Sequence, residues 1–329
     1  MRLERGALPA LVRSLTARAE LGLKREIQIA AAAFGRRARS AWFPSETPIE
    51  NGDDAAALPI EGGYVLFAAE GMRSEFVAAD PWFAGFCSVM VNVNDVAAMG
   101  GRPWAIVDVL FRGSGATARV LEGMAAASAA FGVPVVGGHT TPVVGPTQLA
   151  VAVVGRANRI VSGGAARPGH MLLAAIDLKG SFRGAGAFNA ATTASNKELR
   201  AQIATLPELA EAGLVPAGKD ISMAGLVGTI LMMNELSGVG AVLDLGRVPA
   251  PPNVDAERWL TAFPSFGFVL AAEPRAAASI CARFDAVGVA CAPVGEVTRG
   301  TELVLEYEGE RALYWDLSGA PLTGFGTSP

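Results

Sequence analysis

Lysine and histidine are scarce in this chain: of 27 basic residues only Lys24, Lys179, Lys197 and Lys219 are lysines, and His139 and His170 are the only histidines. Scarcity makes each a candidate for chemistry. The three cysteines, Cys87, Cys281 and Cys291, lack metal-ligand spacing and are too few for a disulfide framework, as expected of buried free thiols in a reducing, cytoplasmic compartment. Charge is sparse as well, 18% of residues against 51% hydrophobic, a balance that excludes disorder and implies elements covered on both faces. Nor is there a basic excess. With 31 acids against 27 bases the net charge is -4, which leaves nothing to neutralise a phosphate backbone and argues against nucleic acid as a partner. No apolar run reaches membrane-spanning length. Arg2 and Arg5 are followed by the amphipathic stripe Leu8-Leu11-Val12-Leu15 rather than a secretory block, so neither a membrane span nor a signal peptide is expected.

What is present suits a mixed α/β or α+β protein, and 329 residues predict two domains. The stripe at 8, 11, 12 and 15 and the stretch Glu26 to Phe34 predict two N-terminal helices. Ser40 to Asp54, with Pro44, Pro48 and Gly52, reads as a loop. Apolar runs at Tyr64 to Ala69, Trp104 to Phe111, Val133 to Val136 and Gln148 to Gly155 predict strands. Helices through Phe83, Phe86, Met90, Val93 and Ala97, and over Ala116 to Phe131, lie between them. The glycine- and proline-rich segment Ser162 to Gly169 precedes a strand at Met171 to Ile176, which predicts domains over 1–160 and 161–310 and a tail over 311–329 whose last residues, Thr323 to Pro329, read as frayed. In the second half, helices are expected near 195–212, 222–237, 255–262 and 274–287, and strands near 240–245, 267–272, 289–297 and 302–307.

Four segments could carry chemistry. Asp53 and Asp54 adjoin in a glycine turn, where two carboxylates need a cation such as magnesium, or one caps the turn while water takes the other. Asn92 and Asp95 share a face of an otherwise apolar helix. There a carboxylate requires a partner, unless that face is an exposed edge. Gly137-Gly138-His139-Thr140-Thr141 follows a strand and reads as a glycine turn able to approach phosphate, with His139 either titratable or structural. Lys219-Asp220-Ile221-Ser222 precedes a helical run, so Asp220 or Ser222 could be an N-cap. That leaves Lys219 unexplained, and Gly225 and Gly228 inside the helix suggest close approach of a backbone or ligand. Carboxylates outnumber cations in this set, which suits divalent metal bridging protein acids to a nucleotide's phosphates.

The order Gly52-Asp53-Asp54-Ala55-Ala56, Asn92-Val93-Asn94-Asp95-Val96-Ala97-Ala98-Met99-Gly100-Gly101, Gly137-Gly138-His139-Thr140 and Asp220-Ile221-Ser222 resembles the aminoimidazole-ribonucleotide-synthetase-like (PurM-like) superfamily. Its members include selenophosphate synthetase, thiamine-monophosphate kinase and the hydrogenase-maturation carbamoyl dehydratase. The resemblance implies a two-domain α+β fold: an N-terminal mixed α/β domain whose β-barrel forms between two subunits, and a C-terminal α/β sandwich. It implies ATP in a cleft between subunits and domains, with magnesium on its phosphates. Carried over, Asp53, Asp54, Asp95 and Asp220 would be metal ligands, and Glu70 stands where relatives place an aspartate. Asn92, Gly137, Gly138, His139 and Ser222 would bind the nucleotide, and Asp54, Lys219 and His139 would be catalytic. Selenophosphate synthetase uses a cysteine or selenocysteine and a lysine in an N-terminal loop, and here no cysteine precedes Cys87. The dehydratase works through a C-terminal cysteine, where this chain ends in Ser328-Pro329. Thiamine-monophosphate kinase carries aspartates where Met223 and His139 stand.

The reading is an ATP- and magnesium-dependent phosphotransferase or synthetase acting on a small polar metabolite, expected as a homodimer. The alternatives are a non-catalytic nucleotide-binding partner in a multi-enzyme assembly, a kinase like thiamine-monophosphate kinase or selenophosphate synthetase, and a metal-dependent hydrolase using the carboxylates with His139.

Overall fold

A computed structural model describes residues 1, 3–37, 49–115, 117–184 and 186–326. The greater part of the loop expected over Ser40 to Asp54, and the last residues of the expected tail, lie outside them. The chain opens with α1 (Leu8–Thr16), α2 (Ala19–Arg25) and α3 (Ile27–Phe34). Two helices were expected here. The intervening α2 carries a single buried apolar residue, Leu21, and so shows no period to read.

The first domain contains β1 (Ala56–Ile60), β2 (Gly63–Met72), α4 (Ser74–Ala79), α5 (Pro81–Ala98), β3 (Arg102–Ser114), α6 (Thr117–Phe131), β4 (Val135–Pro146) and β5 (Gln148–Ala157). Its strands form one sheet in the order β1-β2-β5-β3-β4. Only the β3–β4 pair is parallel, and α6 is the crossover that parallel pairing requires. The Gly137 to Thr141 segment is therefore no turn. It lies inside β4, with Gly138 opposite Asp108 and His139 opposite Val109.

The second domain follows with β6 (Met171–Ile176), β7 (Ser181–Arg183), β8 (Ala187–Asn189), α7 (Asn196–Glu211), β9 (Ala217–Asp220), α8 (Gly225–Ser237), β10 (Gly240–Asp244) and α9 (Ala256–Thr261). It closes with β11 (Phe263–Pro264), β12 (Gly267–Ala272), α10 (Ala277–Asp285), β13 (Ala290–Thr298), β14 (Glu302–Tyr307) and β15 (Glu310–Asp316). A mixed sheet in the order β15-β14-β10-β13-β6-β12-β9 forms its centre.

That central sheet is covered on both faces. On β6, Leu173 and Ala175 join a core with α5, α7 and α10, while Leu172, Ala174 and Ile176 join one with α1, α8 and α9. A strand buried on both sides must be apolar without alternation, as Met171 to Ile176 is. The first of these cores also contains Leu66, Val93 and Val153 from the first domain, so the two domains pack as one body around α5.

The expected tail from 311 begins as a strand, and the fraying expected from Thr323 is not seen over 323–326. β15 pairs antiparallel with β14, and Leu322, Thr323 and Phe325 are buried. Its alternating, partly polar strand and glycine-rich end hid this. The burial comes from contacts with α8 and the Gly52 turn, both distant in sequence.

Candidate active site

Three acidic residues from three separate elements converge where the domains meet. Oxygen atoms of Asp54, Asp95 and Asp220 lie within 4.8 Å of one another. Gly52 sits at φ +103°, and a side-chain carbon there would lie 2.7 Å from Phe325 Cβ. Glycine is required on both counts, and the turn it makes delivers Asp53 and Asp54.

Asp53 is spent on holding that turn. Its carboxylate accepts from Ser162 Oγ at 2.6 Å and from the Gly163 N–H at 2.9 Å, and lies 3.4 Å from Lys219 Nζ. Asp54 accepts from the Asp220 N–H at 3.2 Å and from the Lys219 ammonium. Lys219 and Asp220 end β9, the edge strand of the central sheet beside β12. Neither Asp220 nor Ser222 caps α8. The residue before the helix is Ala224, at φ 85° and without a side-chain cap. Gly225 has φ +66°, and its absent side chain leaves room for the Leu260 carbonyl, which a Cβ would meet at 2.3 Å. The close approach expected at Gly225 is thus that of another backbone.

Asp95 comes from α5, which is buried along nearly its whole length. Its Oδ2 is buried without a hydrogen-bond partner, a costly state for a carboxylate. Burial, with Asp220, Glu70 and Asp54 close by, drives its pKa well above the ordinary carboxylate range. Asp220 is raised in the same way by burial and by Asp54. Asp54 is raised by burial and Asp53, against the pull of Lys219. For Lys219, burial would lower the pKa, but Asp54 and Asp53 outweigh it and hold the ammonium above the usual lysine value. Protons or cations must therefore occupy this pocket for its acids to coexist. The donor set is all oxygen and includes an orphaned carboxylate atom, which fits a hard divalent cation such as magnesium.

Of the other expected site residues, Asn92 is fully buried. Its Nδ2 donates to Ser88 O at 2.8 Å, and its Oδ1 has no partner. Glu70 is exposed on β2, yet its charge acts on Asp95 and Asp220. Ser222 Oγ accepts from Lys24 Nζ at 3.2 Å. Gly137, Gly138 and His139 lie exposed on β4. The His139 ring bonds Thr141 Oγ1 at 2.7 Å, and among the described residues no hydrogen bond or ion pair joins it to the acids. Its place in the nucleotide cleft was implied by the resemblance alone; within one chain it lies on the exposed strand β4.

Sequence reasoning missed Ser162, Lys24 and Glu235. Glu235 of α8 is 3% exposed. Its carboxylate accepts from the N–H groups of Leu322 (2.8 Å), Thr323 (2.8 Å) and Gly324 (3.1 Å) and from Thr323 Oγ1 (2.6 Å). Lys24 was visible as one of four lysines; nothing local said where it points.

Fold and site define a two-domain α+β protein with an acidic, cation-demanding centre at the domain junction. The family description "AIR synthase related protein, N-terminal domain" matches residues 52–157, and "AIR synthase related protein, C-terminal domain" matches 170–308. The chain belongs to the AIR-synthase-related family. It is 42% identical to an uncharacterised protein of Synechocystis over 92% of this chain and 94% of that one. It is 29% identical to the carbamoyl dehydratase HypE of Cupriavidus necator, over 83% of this chain and 86% of that one. Among solved structures it resembles Thermotoga maritima PurL complexed with ATP, with a TM-score of 0.69 and 23% identity. That match covers 78% of this chain but 44% of PurL, less than half the larger protein. Among the described residues no helix is long and apolar enough to cross a membrane.

Proposed function

We propose that this chain is an ATP- and magnesium-dependent phosphoryl-transfer enzyme acting on a small polar metabolite. The convergence of Asp54, Asp95 and Asp220 carries the reading, because buried acids with one orphaned oxygen ask for divalent cation. The likeness to a PurL that binds ATP and the family membership support it.

Asp54, Asp95 and Asp220 would hold magnesium, which when bound neutralises phosphate charge. The rest is positioning and electrostatics, as phosphoryl transfer requires. Asp53, bonded to Ser162 and Gly163, fixes the turn that aims Asp54. Lys219, held between Asp53 and Asp54, keeps a fixed positive charge in a water-poor pocket and orients Asp54. Asn92 offers a free carbonyl oxygen from the same helix as Asp95.

In this reading the exposed β4 strand, with Gly137, Gly138 and His139, belongs to a seam with a second copy. Val107, Val109 and Phe111 of β3 and Val135 and Val136 of β4 are exposed there, an apolar patch of the kind that marks an interface. Sedimentation as a pair supports this, and a single-chain species removes it.

The test of the function is thermal unfolding with AMPPCP, with and without magnesium. Stabilisation by nucleotide is expected with magnesium alone, about 2.7 kcal/mol at a hundredfold excess over Kd, and is lost in Asp54→Asn. No stabilisation under any condition sinks the proposal. Binding without ADP release on any candidate metabolite marks a nucleotide-binding partner instead.

A further inference from the structure

The matched family description ends at residue 308, yet the segment after β15 folds back onto the turn that carries Asp54. Glu235 of α8 anchors it, its carboxylate accepting four hydrogen bonds from Leu322, Thr323 and Gly324. Segment and helix meet backbone to backbone at Gly326, where a side-chain carbon would lie 1.9 Å from the Glu235 carbonyl oxygen. The N-terminal helical arm braces both. Leu21 of α2 is buried and packs toward Gly228 of α8, where a side-chain carbon would lie 3.9 Å from its Cδ2. Gln28 Nε2 of α3 donates to the carbonyls of Pro321 (2.9 Å) and Leu322 (3.1 Å).

So anchored, the segment lays Phe325 over Gly52. Phe325 is 8% exposed, and its Cβ, Cγ and Cδ2 lie 2.7, 2.8 and 2.9 Å from the place a Gly52 side-chain carbon would take. A glycine visits positive and negative φ about equally readily, so nothing within Gly52 itself holds it at φ +103°. Packing must. Downstream, the turn is tied through Asp53 to Ser162, Gly163 and Lys219. On the Gly52 side its cover is Phe325. A change of φ at Gly52 would swing the peptide leading into Asp53 and strain those ties, and with them the aim of Asp54, whose oxygen lies within 4.8 Å of those of Asp95 and Asp220.

We propose that Phe325 is a positioning residue of the cation site: held by Glu235, it confines Gly52 to its left-handed conformation and so fixes the Asp53–Asp54 turn. Phe325 acts through Asp54. That the turn serves a nucleotide-bound cation rests on the functional reading above, whereas the confinement of Gly52 does not depend on it.

Two measurements on the full chain separate these. Hydrogen exchange of the metal-free protein, read peptide by peptide, reports the confinement: Phe325→Ala should speed exchange over residues 50–56 about tenfold and leave α5 and β12 unchanged. Calorimetric titration with AMPPCP plus magnesium reports the site. There Phe325→Ala should weaken binding about tenfold, as loss of a support behind a metal ligand does. Phe325→Leu, which keeps apolar volume over Gly52, should recover most of that affinity. Glu235→Gln, which turns an N–H toward the segment's own donors, should weaken it in the same direction. Wild type that fails to bind AMPPCP with magnesium defeats the functional reading, and the exchange measurement then judges the confinement alone. Unchanged exchange over 50–56 in Phe325→Ala overturns the proposal, as does unchanged AMPPCP affinity where wild type binds. Exchange that quickens equally in α5 and β12 also overturns it, since that signals general loosening rather than a freed turn.

Discussion

Two glycine-flanked motifs of this chain, Gly52-Asp53-Asp54 and Gly137-Gly138-His139, end in opposite surroundings. In the first, glycine adopts a left-handed φ under Phe325 and turns two carboxylates into the domain junction. In the second, the glycines run extended within β4, and Gly138 serves to clear Asp108, whose Oδ1 a side-chain carbon would meet at 2.2 Å. Glycine beside a polar residue therefore signals either a turn or a crowded strand. What decides is the neighbour brought in by the fold. The first motif ends among buried like charges, the second on the face of β4 left exposed by its own chain, and the contrast predicts how each responds to mutation.

The largest effect is expected from Lys219→Met. It strips the cation from two nearly buried carboxylates, whose side chains are 3% and 7% exposed. Breaking such a pair from one side costs about 3–5 kcal/mol. Urea unfolding of metal-free protein measures it, and magnesium should restore part of the loss. An unchanged midpoint would place Lys219 outside the buried network.

Asp95→Asn should move stability the other way. It removes one of three crowded, buried carboxyl groups whose ionisation the fold opposes while keeping the shape, so the metal-free protein gains about 1 kcal/mol, roughly 2–4 °C in Tm. Magnesium-dependent AMPPCP affinity should fall about a hundredfold, some 2.7 kcal/mol. A variant less stable than wild type would mean that the acids are not in conflict. At the second motif, His139→Ala should change AMPPCP affinity by about threefold or less, since its ring bonds only Thr141 among the described residues and an exposed side chain contributes little. A loss comparable to that of Asp95→Asn would place His139 in the nucleotide site after all, supplied across a seam between copies.

The same contrast shows how much was legible beforehand. Apolar runs marked β2, β3, β5, β6, β10, β12, β13 and β14, and helical periods marked α5, α6, α7, α8 and α10, because buried elements must be apolar at fixed spacing. Asp54, Asp95 and Asp220 could be named as a set from the order of their motifs, although 4.8 Å proximity is a property of the fold. What escaped was short, polar or fixed from afar. β7, β8 and β11 have too few residues for a period. β9 hid Lys219 and Asp220 in a strand where a helix cap was plausible. β15 is held by β14, and residues 322–324 after it are held by Glu235, some 90 positions earlier, as in the Gly324 contact at a separation of 89. Lys24 depends on an arm whose docking surface, Gly228 and the Glu235 clasp, is assembled by the second domain.

The mildest test concerns the other histidine, which lies outside both motifs. His170 is 5% exposed, and its Nδ1 accepts from the Arg167 N–H at 3.3 Å, a role open only to the unprotonated nitrogen. Burial lowers its pKa, with Glu273, 3.8 Å away and exposed, opposing. The folded value is therefore below the unfolded one, and the unfolded chain takes up the proton first as pH falls below about 6.5. The stability that His170 contributes is complete above that pH and declines toward the folded pKa. Below that value the loss is constant. Between pH 7.5 and 5, the wild-type melting temperature should fall more steeply than that of His170→Asn. The acidic centre contributes equally to both and cancels in the difference. If the two slopes coincide, the ring takes up its proton equally in the folded and unfolded chain, and the Arg167 contact is not what holds it.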